Sequence, residues 1–227
     1  MYDPFNDIVD FLSGSNDVIA IFVLTILVSG TAVAISSLIG IPVGIRLARS
    51  RFGSYRLPVA ILNTLVGIPP VVLGLVLYLL FYNRGLLGFI NILFTPWIMV
   101  LSQIILTLPI VISITRSSVA DIDETAIFTL KSLGANERQL NDLLFTEVKQ
   151  GVYVGMIVAL GRALSEVGAL LIVGGNIKGS TRVLTTSIVT ETSMGEYGTA
   201  ITLGIILITL TFTITLIVTY FQLKSDV

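Results

Sequence analysis

The chain has neither cysteine nor histidine. That removes disulfides, thiolate nucleophiles, imidazole acid–base chemistry and the commonest transition-metal ligands together, and with no metal-binding set no metal site is expected. The redox compartment has no signature either. Charge is scarce: Asp, Glu, Lys and Arg make up 12% of the 227 residues, about half of the quarter usual in soluble domains. A formal net charge of −1 leaves no basic surface to neutralise a phosphate backbone, so nucleic acid is not an expected partner. There is no glycine-rich phosphate loop, and so no nucleotide site of the chain's own. Before the first apolar run the only charges are Asp3, Asp7, Asp10 and Asp17, unlike the positive start of a secretory leader, and without cysteine no lipidation box is available.

Apolar sequence is what the chain has in quantity, 54% of residues. Crossing a bilayer takes about 20 apolar residues in a helix rising about 1.5 Å each. Val18 to Ile45, Leu57 to Asn83, Gly85 to Thr115 and Tyr197 to Leu223 qualify, none of them containing a charged residue. Gly151 to Ile177 is apolar except for Arg162 and Glu166, and its Gly155, Ala159, Gly161, Ala163, Gly168 and Ala169 suit close packing of helices in lipid. The expectation is an all-α integral membrane protein of about five spans, read as one domain over 1–227, moving something through the bilayer. Arg46, Arg49, Arg51 and Arg56 follow span one; Arg116, Lys131, Arg138 and Lys149 follow span three; Lys224 follows span five. The opposite side holds only Arg84, Lys178 and Arg182, which predicts an external N-terminus and a cytoplasmic C-terminus.

The longest segment outside the spans, 116–150, predicts two short cytoplasmic helices. Asp123 can cap the first, with Ile127, Leu130 and Leu133 on its apolar side and a stop at Gly134. Asn136 and Gln139 form a capping-box pair for the second, with Leu140, Leu144 and Val148 on one stripe. The helix from Phe128 to Gly134 either inserts into a cytoplasmic ATPase or lies on the membrane surface.

Within the spans, Pro69 and Pro70 remove backbone donors and bend the helix, either to line a path or only to kink it. Arg162 and Glu166 stand four apart, as a pair on one helix face; they either line and gate the path or form an internal salt bridge. Asn176 to Ser193, with Thr181, Thr185, Thr186 and Arg182, either exchanges hydrogen bonds with a passing oxyanion or is an ordinary polar outer loop. Gly30, Gly40 and Gly44 read as helix packing.

Leu133-Gly134-Ala135, after an amphipathic turn and before a second short helix, resembles the coupling loop of importer-type ABC transporter permeases, with Phe128, Thr129 and Leu130 where that family has Glu-Ala-Ala. Gly67-Ile68-Pro69-Pro70-Val71-Val72-Leu73-Gly74 and Asn83-Arg84-Gly85-Leu86-Leu87-Gly88 resemble the molybdate and tungstate branch. Gly161 to Ala169, continuing through Gly174-Gly175-Asn176-Ile177 to Thr181-Arg182-Val183-Leu184-Thr185-Thr186, is most similar to tungstate permeases. The resemblance implies a type I importer transmembrane domain in a prokaryotic cell membrane, working as a homodimer with two cytoplasmic ATPase subunits and an external tungstate-binding protein. It places ATPase coupling on Ile127, Phe128, Leu130, Lys131, Ser132, Leu133, Gly134 and Ala135, within the coupling loop 116–150. The pathway would run past Pro69, Pro70, Arg162, Glu166, Gly168, Asn176, Thr181, Arg182, Thr185 and Thr186. ATP and magnesium would belong to the partner ATPase, and this chain would hold no cofactor and catalyse no covalent step. A molybdate or sulfate importer is the neighbouring reading; a passive channel or helical scaffold is the reading from another class.

Overall fold

A computed structural model describes residues 15–49, 56–120 and 132–224. Among them are eight α-helices and no strand: α1 Ser15–Arg49, α2 Arg56–Val66, α3 Pro70–Phe81, α4 Pro96–Ala120, α5 Glu137–Leu164, α6 Gly168–Gly174, α7 Leu184–Met194 and α8 Tyr197–Lys224. Three helices are long and apolar enough to cross a membrane alone. Two bent pairs, α2 with α3 and the second half of α5 with α6, bring the number to as many as five. The all-α membrane fold expected from the apolar runs is therefore present, with different boundaries.

The second span is broken rather than curved. Val59–Val66 and Pro70–Phe81 meet at 99°. Pro42 in α1 and Pro109 in α4 each delete one amide donor and stay inside their helices, whereas Pro69-Pro70 deletes two in succession. Pro70 also pushes the residue before it toward extended backbone, and Pro69 has φ −63° and ψ 120°. Pro70 then opens α3 at a position where a missing N–H costs nothing.

The third span begins at Pro96 rather than Gly85. Residues 82–95 fold back over the end of α3: Gly85 N–H donates to the Tyr82 carbonyl at 2.6 Å and Leu87 N–H to that of Leu80 at 2.8 Å. Such contacts answer the carbonyls a helix end leaves unpaired. A Cβ on Gly85 would lie 2.3 Å from the Leu79 carbonyl oxygen, so this return needs glycine.

Asn136 and Gln139 form the expected capping box, each side chain taking the other's backbone N–H at 2.9 Å. The helix they start does not stop on the cytoplasmic side, however. It runs 28 residues to Leu164, so the expected second short helix is continuous with the fourth span, whose apolar part begins at Val148.

Small residues set the packing. Ser36 and Thr107 hydroxyls are 2.7 Å apart; one turn on, Gly40 faces Val111, and one turn further Gly44 faces Thr115. The constant offset makes α1 and α4 parallel along a seam of small and hydroxyl residues, as lipid-embedded helices favour. Against α4, α5 runs antiparallel, with Gly155 on Ile114 and Gly151 under Ser118. Of the glycines expected to pack, Gly40 and Gly44 do, while Gly30 has no atom within 4 Å of where its Cβ would be. On α8, Ile201, Ile205, Ile208, Phe212 and Leu216 are exposed, a face suited to lipid.

Candidate functional site: two broken helices

Both breaks lie at one level of the bundle. A Cβ on Gly74 of α3 would stand 2.8 Å from the Ala169 Cα of α6, and one on Gly168 would overlap the Val71 side chain. Thus Pro69, Pro70, Glu166 and Gly168, four of the residues singled out as pathway, are gathered where two half-helices start side by side. Buried Leu73, Leu77, Phe81, Met99, Leu170 and Val173 hold the two halves together.

The Arg162–Glu166 pair differs from its sequence reading. Since α5 ends at Leu164, Glu166 is in the break and not on the helix that carries Arg162. Its carboxylate is 5% exposed and 3.9 Å from the guanidinium. The shorter contact is with the start of α6, where Glu166 Oε1 accepts from Ala169 N–H at 3.0 Å. Arg162 is 37% exposed, and neighbouring Gly161 has open space beside it. With Val154, Val158 and Ser165 also exposed, one face of α5 is uncovered by the chain itself, and Arg162 stands at its edge. Glu166 serves the backbone; Arg162 keeps a cation toward the open side.

The hydroxyl-rich stretch 176–193 is not an ordinary outer loop. Thr185 Oγ1 donates to the Glu166 carbonyl at 2.8 Å, and Leu184 N–H donates to Thr25 Oγ1 at 3.0 Å. Further along, Asn176 Nδ2 reaches Thr190 Oγ1 at 2.6 Å. The chain therefore dips from Asn176 to the level of the α5–α6 break, and α7 climbs back. Thr181 is buried, donating to the Gly174 carbonyl at 2.5 Å and accepting from Ile177 N–H at 3.0 Å. Thr186 caps α7 by exchanging hydrogen bonds with the Val183 backbone, both 3.1 Å. In this conformation these hydroxyls are committed to the protein's own backbone and are not offered to a solute. Polar composition suggests solvent exposure; burial with partnered hydroxyls, as at Thr181, Thr185, Thr186 and Ser187, is the alternative that composition does not distinguish.

Arg182 Nη1 lies 3.9 Å from Glu191. Lys178 pairs with Asp17 at 2.7 Å, putting the turn after α6 on the same side of the bundle as the start of α1, as the count of crossings requires. Between them is a largely apolar cavity of about 300 Å³ lined by Ile21, Leu24 and Leu27 of α1.

Of the coupling residues, Ile127, Phe128, Leu130 and Lys131 lie outside the described residues. Ser132 and Leu133 are exposed, Leu133 at 78%. Gly134 has φ +85°, the left-handed stop expected there, and Ala135 leads into the cap of α5. Among the described residues no group of His, Cys, Asp or Glu could hold a metal.

Sequence reading missed the partners behind the break. Gln103 and Ser29, buried on α4 and α1, both donate to the Ala163 carbonyl. The available signal was a glutamine in an otherwise uncharged span, which lipid tolerates only with a hydrogen-bond partner.

Residues 40–226 match the model of the binding-protein-dependent transport system inner membrane component. The chain belongs to that family. It is therefore a permease subunit of the ABC-transporter class, and three unbroken spans with two bent pairs suit such a membrane component. The permease is 39% identical to the tungstate uptake system permease protein TupB of Peptoclostridium acidaminophilum over 88% of each chain. It is 37% identical to TupB of Campylobacter jejuni over 67% of this chain and 64% of that one. With the molybdenum transport system permease protein ModB of Escherichia coli K12 the identity is 30%, covering 78% of this chain and 82% of the other. The crystal structure of an amino acid ABC transporter with histidines superposes with a TM-score of 0.70 over 99% of both chains at 15% identity, a likeness of fold alone.

Proposed function

We propose that this chain is the membrane permease of an ATP-driven tungstate importer and forms the route by which the oxyanion crosses the bilayer. The observation that carries this reading is the 39% identity to a tungstate uptake permease across 88% of both chains. In this reading two copies assemble around the route, two cytoplasmic ATPase subunits hold ATP and magnesium, and an external binding protein delivers the anion. The N-terminus is outside and the C-terminus in the cytoplasm. Closure of the ATPases on ATP draws the Phe128 to Gly134 segments together and turns the dimer from inward-open to outward-open; hydrolysis resets it. The chain itself catalyses no covalent chemistry.

The uncovered face of α5 and the exposed stripe Val71, Val72, Leu75, Val76 and Leu79 on α3 flank the paired breaks. They supply surface for the second copy and for the route between the two. Arg162 on that face gives a passing anion a positive field, restrained by Glu166 across the break, while Gly168 and the two prolines shape the wall. The outer Asn176, Thr181, Arg182, Thr185 and Thr186 hold that wall from behind.

The test is uptake of labelled tungstate by vesicles containing the permease, its ATPase and a loaded binding protein. Uptake should require ATP, and molybdate should compete better than sulfate or phosphate. Arg162→Ala should lower it with expression unchanged; unchanged uptake removes Arg162 from the route. Steady anion conductance without ATP would replace the importer with a channel, and crosslinks from Lys131 to lipid alone would remove the coupling role.

A further inference from the structure

The two breaks differ in what keeps them open. Pro69-Pro70 cannot be helical in the ordinary way, because two amide donors are missing from the chain. Nothing covalent does this at Ser165-Glu166-Val167. There, a helix running on from α5 would have the Ala163 carbonyl accept from the N–H of Val167, four residues along. Because α5 ends at Leu164, that carbonyl lacks its helical partner. Instead Gln103 Nε2 of α4 donates to it at 3.2 Å and Ser29 Oγ of α1 at 3.5 Å. Gln103 is 0% exposed, and its Oε1 is buried without a partner. An amide placed in an apolar interior with half its capacity unused is there for the half that is used.

We propose that Gln103 is a positioning residue for transport, holding the α5–α6 break open by occupying the Ala163 carbonyl, with Ser29 in support. Ala163 follows Arg162 directly and precedes Glu166 by three residues, so the same bond fixes where the Arg162 guanidinium stands. Straightening of α5 into α6 requires the carbonyl to pass from Gln103 to Val167 N–H. This inference rests on the reading of Arg162 as part of the route.

Gln103→Met keeps length and loses the donor. In vesicles with ATPase and loaded binding protein, its maximal uptake should fall about tenfold, with half-saturation by binding protein unchanged. Distances between spin labels at the exposed positions Val158 and Ile177 should lengthen as the 59° bend opens. Gln103→Glu is the sharper variant, since a carboxyl group donates to a carbonyl only when protonated. Its uptake should recover as pH is lowered, relative to wild type at each pH. The charged groups near it are Arg162 and Glu166; between Asp17 and Arg46 on α1, before Arg116 on α4, and throughout α6 there are none. Wild-type uptake and label distance in Gln103→Met, or a Gln103→Glu profile parallel to wild type, would overturn the proposal. Should Gln103→Met fail to insert, Ser29→Ala in the Gln103→Glu background decides: the acidic recovery should shrink, and an unchanged recovery counts against the proposal. If Arg162→Ala is silent while Gln103→Met moves the labels, the role of Arg162 fails and the hold on the break stands; the reverse pattern sinks only the hold.

Discussion

The break before α3 and the break before α6 lie against each other and do the same geometric work by different means. At residues 67–69 the backbone has no choice, because Pro69 and Pro70 remove consecutive donors. At residues 165–167 the backbone could be helical and is kept otherwise by side chains: Gln103 and Ser29 on the Ala163 carbonyl, Ser165 on that of Gly161, Glu166 on Ala169 N–H, and Thr185 on the Glu166 carbonyl. A break written into the chain is permanent. One held by hydrogen bonds can be made and unmade at a cost set by those bonds, about 1 kcal/mol net for each. The difference assigns a fixed wall to α3 and an adjustable one to α6.

The harshest way to break this comparison is to force the two walls apart. Gly74→Leu puts a side chain where a Cβ alone would be 2.8 Å from the Ala169 backbone, and overpacking of that kind costs about 1–3 kcal/mol or more. Uptake should be abolished and the thermal midpoint in detergent should drop by several degrees. A protein that keeps both would mean that the contact between the walls is dispensable.

Removing the lock itself comes next. Pro69→Ala with Pro70→Ala restores both donors and lets α2 compete to continue into α3. Stability should change little, within about 1 kcal/mol, since Pro at the first helical position is well placed but not essential. Uptake should fall severalfold, because the fixed wall has become adjustable. Normal uptake with a relaxed 99° bend, read from label distances, would show that rigidity there has no role.

Thr185→Val touches only the adjustable break. It deletes the hydroxyl that donates to the Glu166 carbonyl at nearly constant volume and should cost about 1 kcal/mol, seen as a small fall in thermal midpoint. Compared with the proline variant, its effect on uptake should be smaller, because other bonds still hold the segment.

How far the sequence shows this depends on which kind of constraint is at work. Spans show as uncharged apolar runs, the Pro69-Pro70 break is a local covalent fact, and the Asn136/Gln139 box and Gly134 stop are local too, so all were readable. The break at Glu166 is held in part by residues far along the chain, Gln103 60 positions and Ser29 134 positions from Ala163, which no local pattern announces; Arg162 and Glu166 accordingly look like one helical pair. Thr181, Thr185 and Thr186 illustrate the same limit. A cluster of hydroxyls is polar by composition, and only the fold decides whether its partners are water or buried backbone. Likewise Gly85 to Thr115 is continuously apolar, although its first part is a return over α3 that glycines at 85 and 88 permit.

The smallest effect sharpens the comparison most cheaply. Gly30 and Gly161 both have no atom within 4 Å of a built Cβ, and both are in helix interiors, where alanine is favoured over glycine by up to about 1 kcal/mol. By the chain's own contacts, Gly30→Ala and Gly161→Ala should therefore be equally harmless, each neutral or slightly stabilising in a thermal melt. Their surroundings in the working complex differ. Gly161 stands beside Arg162 on the uncovered face of α5, where the proposed function puts the route and the second copy, and an added methyl there would narrow that space. Uptake should therefore drop modestly, about twofold, in Gly161→Ala and remain unchanged in Gly30→Ala, with both melting alike. Equal uptake in the two would leave that face of α5 open to lipid, and with it Arg162 would lose its place beside the anion.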